Sequence, residues 1–344
     1  MTHPPGDIEH LLEFTPARLR DYLEQARHKP FRARQLLDWV WKKNVIEPAA
    51  MSNVPNALAE SLAIVTSRVV AETRSKDGTV KLLVEYPDGA RVETVLIPSA
   101  KRATVCLSTQ VGCAMECAFC ATGIDGLVRN LSAGEILEQI IQLRTATGAG
   151  VTNVVFMGMG EPLANFDATL AAVEAIVDPQ RLGLSARHVT VSTIGLPEGI
   201  LRLAEAKLPI TLAISLHAPT DELRRRIIPR AGKVPLERIL SAAKVFYESR
   251  RREVTLEYIL IPGLNDSGPC AAALADIAGR LRCNVNLIRY NPVASLPWTR
   301  PSAAEVEGFA AALARRGVNV TVRASRGLDA DAACGQLRRR RSEE

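Results

Sequence analysis

From about residue 101 of this 344-residue chain, apolar runs alternate with amphipathic segments. ATVCLS, TNVVFMG, HVTVST, ITLAISLHA, VTLEYILI, NVNLIRY and NVTVRAS read as strands. SAGEILEQIIQLRT, PLERILSAAKVFYESR, AAALADIAGRL and AAEVEGFAAALARR carry helical spacing between them. Ser132 with Glu135, and Ser302 with Glu305, fit the S-x-x-E capping box that opens a helix. Strands apolar along their whole length are buried on both faces, so the pattern predicts a parallel sheet covered by helices. Six or seven such units predict an α/β fold, an incomplete TIM-like β/α barrel over residues 101–337. Chemistry in such folds sits at the C-terminal ends of the strands, and the marked motifs fall there.

Two other segments precede the barrel. LEFTPARLRDYLEQ, FRARQLLDWVWKK and AMSNVPNALAESLA predict a helical N-terminal domain over residues 1–66. SRVVAETRS, TVKLLVEY and RVETVLIP, punctuated at Lys76-Asp77-Gly78 and Pro87-Asp88-Gly89, predict a small antiparallel meander over 67–100. A basic tail covers 338–344. The start has acidic residues and no apolar run, and no stretch approaches the roughly 20 apolar residues of a membrane span. A cytoplasmic, soluble monomer is expected. The net charge is +6, with arginine runs at 224–226, 250–252 and 338–341. Such runs suit a phosphate-rich partner, although solvated helix faces account for each run equally well.

Seven cysteines, an odd number, argue against a secreted disulfide framework and for metal binding or chemistry. Cys113, Cys117 and Cys120 fall within eight residues, in VGCAMECAFC. Structural zinc takes four ligands, commonly in two pairs; three thiolates instead leave one iron of a 4Fe-4S cluster open. This C-x3-C-x2-C spacing, with an aromatic (Phe119) before the last cysteine, resembles that of radical S-adenosylmethionine (SAM) enzymes. Cys270 and Cys283 lie outside any motif and read as small packing residues. Trp39, Trp41 and Trp298 likewise read as packing residues.

The whole chain resembles the RlmN/Cfr family of radical-SAM methyltransferases, and the RlmN branch most. The residues that carry the resemblance are CLSTQVGCAMECAFCATG, RNLSAGEI, VVFMGMGEPLANFD, VTVSTIGLPEGI, LAISLHAPTDELR, YILIPGLND, IRYNP and RGLDADAACGQL. FRARQLLDWVW and MSNVPNAL resemble the accessory domain of that family. The resemblance implies methylation of carbon 2 of an adenine in 23S ribosomal RNA, with adenine 37 of some transfer RNAs as a second substrate. It implies a 4Fe-4S cluster on Cys113, Cys117 and Cys120, and a one-electron donor such as flavodoxin or ferredoxin. Phe119, Gly160, Glu161, Ser192, Ser215, Leu216, His217 and Asn291 would bind SAM. Cys334 would carry the methyl group, Cys106 would resolve the protein–RNA adduct by forming a disulfide, and Glu93 would be the base. Burial is expected to raise the pKa of Glu93. Ile194 replaces a small polar residue found in many relatives, which removes one SAM contact.

Two alternatives stay open at this point. A Cfr-type enzyme would methylate carbon 8 of the same adenine with the same motifs. A zinc-stabilised RNA-binding module would account for the cysteines and the arginines, but not for Gly158-Met159-Gly160-Glu161-Pro162 or the isolated Cys334.

Overall fold

A computed structural model describes residues 9–338. Of the basic tail only Arg338 is included; Arg339, Arg340 and Arg341 lie outside the described residues.

Helices lead the chain. Thr15 Oγ1 accepts the N–H of Arg18, and Pro16 takes the first helical position of α1 (Pro16–Gln25). α2 (Phe31–Leu37) runs into a π-helical turn, Asp38–Lys42, and a short α3 (Asn56–Glu60) follows. Their apolar faces bury Leu19, Leu23, Leu36, Val40 and Leu58. The region is fastened to α4 (Ala133–Thr147) by polar groups. Buried Glu138 accepts from the N–H groups of Thr66 at 2.7 Å and Ser67 at 2.9 Å, with His10 Nε2 2.6 Å away. Glu13 accepts from Gly134 N at 2.7 Å, which satisfies a free donor at the start of α4.

Ten strands form one sheet. β1 (Arg68–Arg74), β2 (Val80–Glu85) and β3 (Arg91–Ser99) form the antiparallel meander. β4 (Arg102–Cys106), β5 (Asn153–Phe156), β6 (Val189–Thr193), β7 (Thr211–Ser215), β8 (Val254–Leu260), β9 (Cys283–Arg289) and β10 (Val320–Arg323) are mutually parallel neighbours in that order. Each strand expected in the barrel is present. α4, α5 (Phe166–Val177), α6 (Pro197–Glu205), α7 (Asp221–Ile227), α8 (Leu236–Arg250), α9 (Gly268–Gly279) and α10 (Ala303–Ala314) fill the crossovers. Both expected capping boxes form, at Ser132 and Ser302.

The meander is not a separate sheet. β3 pairs antiparallel with β4, Val95 opposite Cys106, while β4 pairs parallel with β5. The barrel edge is thereby covered instead of being left as an open row of donors and acceptors. Glu93, on β3, is consequently buried.

The arginine run at 224–226 divides. Arg225 and Arg226 are exposed, but Arg224 is fully buried. Its guanidinium donates to the carbonyls of Ala231, at 3.0 Å, and Ile194. A helix turns each successive side chain by about 100°, so three consecutive arginines cannot share one solvated face. Among the described residues no helix is long and apolar enough to cross a membrane.

Candidate active site: two adjoining cavities

The first cavity opens at the C-terminal ends of β4 to β9. Its cysteine loop is held by a two-stranded hairpin, Gln110–Gly112 with Leu127–Asn130. Gly112 has φ +78°, and a Cβ there would lie 2.0 Å from the carbonyl of Gly126. Only glycine closes this hairpin. Cys113 N–H then donates to Gly126 O at 2.9 Å. The loop is also tied sideways: Ala118 N–H donates to Ile227 O at 2.9 Å, and Trp298 Nε1 donates to Ala118 O at 3.0 Å. Trp298 is thus a packing residue, as expected.

Cys113, Cys117 and Cys120 line this cavity together with Phe119, Gly160, Glu161, Ser192, Ser215 and His217. Burial, with help from the neighbouring thiols, pushes Cys113 up to about 12 and Cys117 well above its usual value. Three partly buried thiols brought to one cavity make their thiolates costly unless a cation compensates. That donor set fits an iron–sulfur cluster.

Glu161 follows β5. Its carboxylate accepts from Leu163 N at 3.0 Å and from Ile194 N at 2.9 Å. Burial outweighs these bonds and raises its pKa to about 7. Ile194, lacking a polar side chain, still contributes through its backbone. A Cβ on Gly160 would meet Gln110 at 2.6 Å, so the β5 turn can press this closely only with glycine. Ser192 and Ser215 project from neighbouring strands with Oγ atoms 3.5 Å apart. His217 has φ +57°, is buried against the edge of Phe119, and accepts from Ile259 N at Nδ1, 3.0 Å away. Burial, then the charge of Arg224, lowers it to about 3, so it is neutral.

The second cavity adjoins the first. Cys106, at the end of β4, lines it with Cys334, although 228 positions separate them. Cys334 and Arg323 line both cavities. The Cys334 segment is bonded to the cluster loop: Ala121 N–H donates to Gly335 O at 2.8 Å and Thr122 Oγ1 to Leu337 O at 2.5 Å. It is bonded equally to the meander, where Lys81 Nζ donates to Asp331 O at 2.9 Å and Gly327 N to Asp77 at 3.0 Å.

Three expected site residues stand elsewhere than foreseen. The Leu216 side chain is in the hydrophobic core and does not line the first cavity. Asn291 lines the second cavity, donating to Cys334 O at 3.0 Å and accepting from Arg300 at 2.8 Å. Glu93 lies beside the cavities, 1% exposed, with Lys81 Nζ at 3.0 Å and the N–H of Arg338 donating at 2.9 Å. The cation in contact with it, Lys81, is itself buried. Glu257 and Arg323, which line the first cavity, were missed, and the burial of Arg224 was not foreseen. The only trace of Glu257 in the sequence is one acid inside the apolar run VTLEYILI.

Residues 107–272 match the Radical SAM superfamily, so fold and loop define a radical-SAM enzyme. Residues 9–67 match the ribosomal RNA large subunit methyltransferase N-terminal domain. The chain is 43% identical over 340 residues to a probable dual-specificity RNA methyltransferase RlmN of Rhodopirellula baltica, covering 97% of this chain and 92% of that protein. It is 45% identical to the corresponding Parasynechococcus marenigrum protein, covering 96% and 99% of the two chains. A crystal structure of a radical SAM methyltransferase from Sphaerobacter thermophilus superposes with TM-score 0.92 at 41% identity, covering 96% of this chain and 99% of that one. The chain belongs to the RlmN family of radical-SAM RNA methyltransferases. Its cofactors are a 4Fe-4S cluster and SAM.

Proposed function

We propose that this enzyme methylates carbon 2 of an adenine in 23S ribosomal RNA and in transfer RNA, through a methylated Cys334 and a disulfide with Cys106. The observation that carries this reading is that Cys334 lines both cavities, the second with Cys106 and the first with the cluster loop. Relatives named as dual-specificity RNA methyltransferases RlmN and the matching N-terminal domain favour carbon 2 over carbon 8.

Carbon 2 of adenine is a poor nucleophile, so direct attack on a methyl sulfonium is disfavoured. When bound, the cluster and SAM supply a methyl group and a hydrogen-abstracting radical. Cys113, Cys117 and Cys120 would hold the cluster and Glu161 would accept from the SAM ammonium. Cys334 carries the methyl group; after hydrogen loss, its carbon bonds to the base. Addition leaves an odd electron on the base; its loss to the electron-transfer centre that Cys113, Cys117 and Cys120 would hold, with loss of the carbon 2 proton to Glu93, restores an even-electron adduct. The Cys106 thiolate then attacks the Cys334 sulfur. The S–S bond forms, the carbon–sulfur bond breaks, and the electron pair returns to the base, which is protonated to a methyl group. An external thiol reductant resets the disulfide.

The test uses two single variants. Cys106→Ala keeps the carrier, so denaturing gels should show RNA-linked protein that nuclease trims. Cys334→Ala should give no adduct. Equal adduct in both variants, or normal release by Cys106→Ala, refutes the two-thiol route. Mass spectrometry of wild-type product then separates the ring positions: methyl on carbon 8 makes this a Cfr-type enzyme.

A further inference from the structure

Four carboxylates are buried among the described residues: Glu93, Glu138, Glu161 and Glu257. Three of them use both oxygens. Glu93 has Lys81 and Arg338 N, Glu138 has Thr66 N and Ser67 N, and Glu161 has Leu163 N and Ile194 N. Glu257 differs. It is 3% exposed, its Oε1 accepts from Asn286 Nδ2 at 3.1 Å, and its Oε2 has no hydrogen-bond partner. A buried carboxylate oxygen left unpaired carries a desolvation cost that folding alone does not recover. The oxygen therefore reads as a position reserved for a ligand.

The strands decide which ligand. Glu257 is on β8, in register with Ser215 on β7, and Ser215 faces Ser192 on β6. All three residues line the first cavity, on neighbouring strands, and the cysteine loop lines it too. A carboxylate can only accept, so it selects O–H or N–H donors. Two adjacent hydroxyls beside it can donate or accept. One acceptor-only group next to two hydroxyls matches a vicinal diol, which presents two donors on neighbouring carbons. An acid that accepts from a ribose hydroxyl is a recurring solution in nucleotide sites. Burial raises its pKa above the usual carboxylate value, and Arg323 and the Asn286 hydrogen bond only partly oppose that shift, so a donor hydroxyl would stabilise the ionised form further.

We infer that Glu257 accepts hydrogen bonds from the ribose 2′- and 3′-hydroxyls of SAM, and that it positions the cofactor between the cluster loop and Cys334. The inference rests on the cofactor of the family and not on which RNA is the substrate.

The experiment is calorimetric titration of the anaerobic, cluster-loaded protein, without RNA and without reductant. The probes are S-adenosylhomocysteine and its 2′-deoxy and 3′-deoxy analogues. Wild-type protein should bind at least one deoxy analogue roughly 10- to 100-fold more weakly, the range for a lost hydrogen bond to a charged group. Glu257→Gln should bind S-adenosylhomocysteine more weakly by a similar factor and should discriminate little between it and that analogue. Iron content is matched between the proteins before titration. Should that variant fail to load iron, Glu257→Asp replaces it in the same comparison. Equal wild-type affinity for all three probes overturns the inference, as does undiminished binding by Glu257→Gln. A Glu257→Gln loss that is the same for every probe also overturns it, since the side chain would then act through the fold. A variant that binds S-adenosylhomocysteine normally but RNA weakly would assign the oxygen to the ribose of the substrate and overturn the cofactor assignment. None of these outcomes depends on which ring carbon is methylated.

Discussion

The two cavities are made in opposite ways. The cysteine loop draws its thiols from eight consecutive positions and is closed by a hairpin that only glycine permits. The dithiol cavity brings Cys106 together with Cys334 across 228 positions, from the end of β4 and from a segment beyond β10. A local motif can be read from its spacing, because short-range geometry brings its members together. A long-range pair exists only when the sheet has placed its strands in order. Loss of the first should therefore leave the second standing.

The strongest way to break that contrast is Cys117→Ala. It should abolish iron binding and methyl transfer. Mild oxidation of the same variant should still yield a Cys106–Cys334 disulfide, seen by peptide mass spectrometry. If the pair no longer forms, the cavities are one cooperative unit. A smaller effect is expected at Arg224, the buried cation whose donors cross-link the wall of the first cavity. Arg224→Met leaves the carbonyls of Ile194 and Ala231 unsatisfied and should cost about 3 kcal/mol of stability. Urea titration measures this, and an unchanged midpoint would show that the wall does not need the guanidinium.

The smallest effect concerns acid sensitivity. His217 has its folded pKa lowered from 6.5 to about 3 by burial and by Arg224. The unfolded chain takes up the proton first. Its contribution is therefore complete above pH 6.5 and is lost as pH falls towards 3. His217→Asn, a residue that tolerates φ +57°, should flatten the difference in urea midpoint across that window. Parallel pH profiles for the two cluster-free proteins would mean that the imidazole is not held neutral by the cavity.

Much of this was legible beforehand, for physical reasons that also explain the rest. The barrel strands stood out because burial on both faces leaves runs such as VTLEYILI, and Ser132 and Ser302 marked helix starts through their own hydrogen bonds. The cysteine loop was legible from spacing, whereas the roles of Cys106 and Cys334 came only from family resemblance. Arg224 read as surface charge, because composition does not say which face of α7 an arginine occupies. Leu216 and Asn291 were each placed in a SAM site by motif; the strand ends turn one into the core and the other towards Cys334 O. The meander was expected to link to the barrel, but its pairing through β3 and β4 was not legible, since edge pairing depends on which strand is left unpaired after the others assemble.

The bonds from Lys81 and Asp77 to the 327–331 stretch set an order in time as well as in space. During synthesis Asp77 and Lys81 leave the ribosome 250 residues before their partners Gly327 and Asp331 do. Domains begin folding while the chain is still emerging. A nascent chain can thus complete its cysteine hairpin long before Cys334 exists opposite Cys106. The thiol pair closes only after translation has passed Cys334, so half-made protein holds the cysteine hairpin and lacks the dithiol pair.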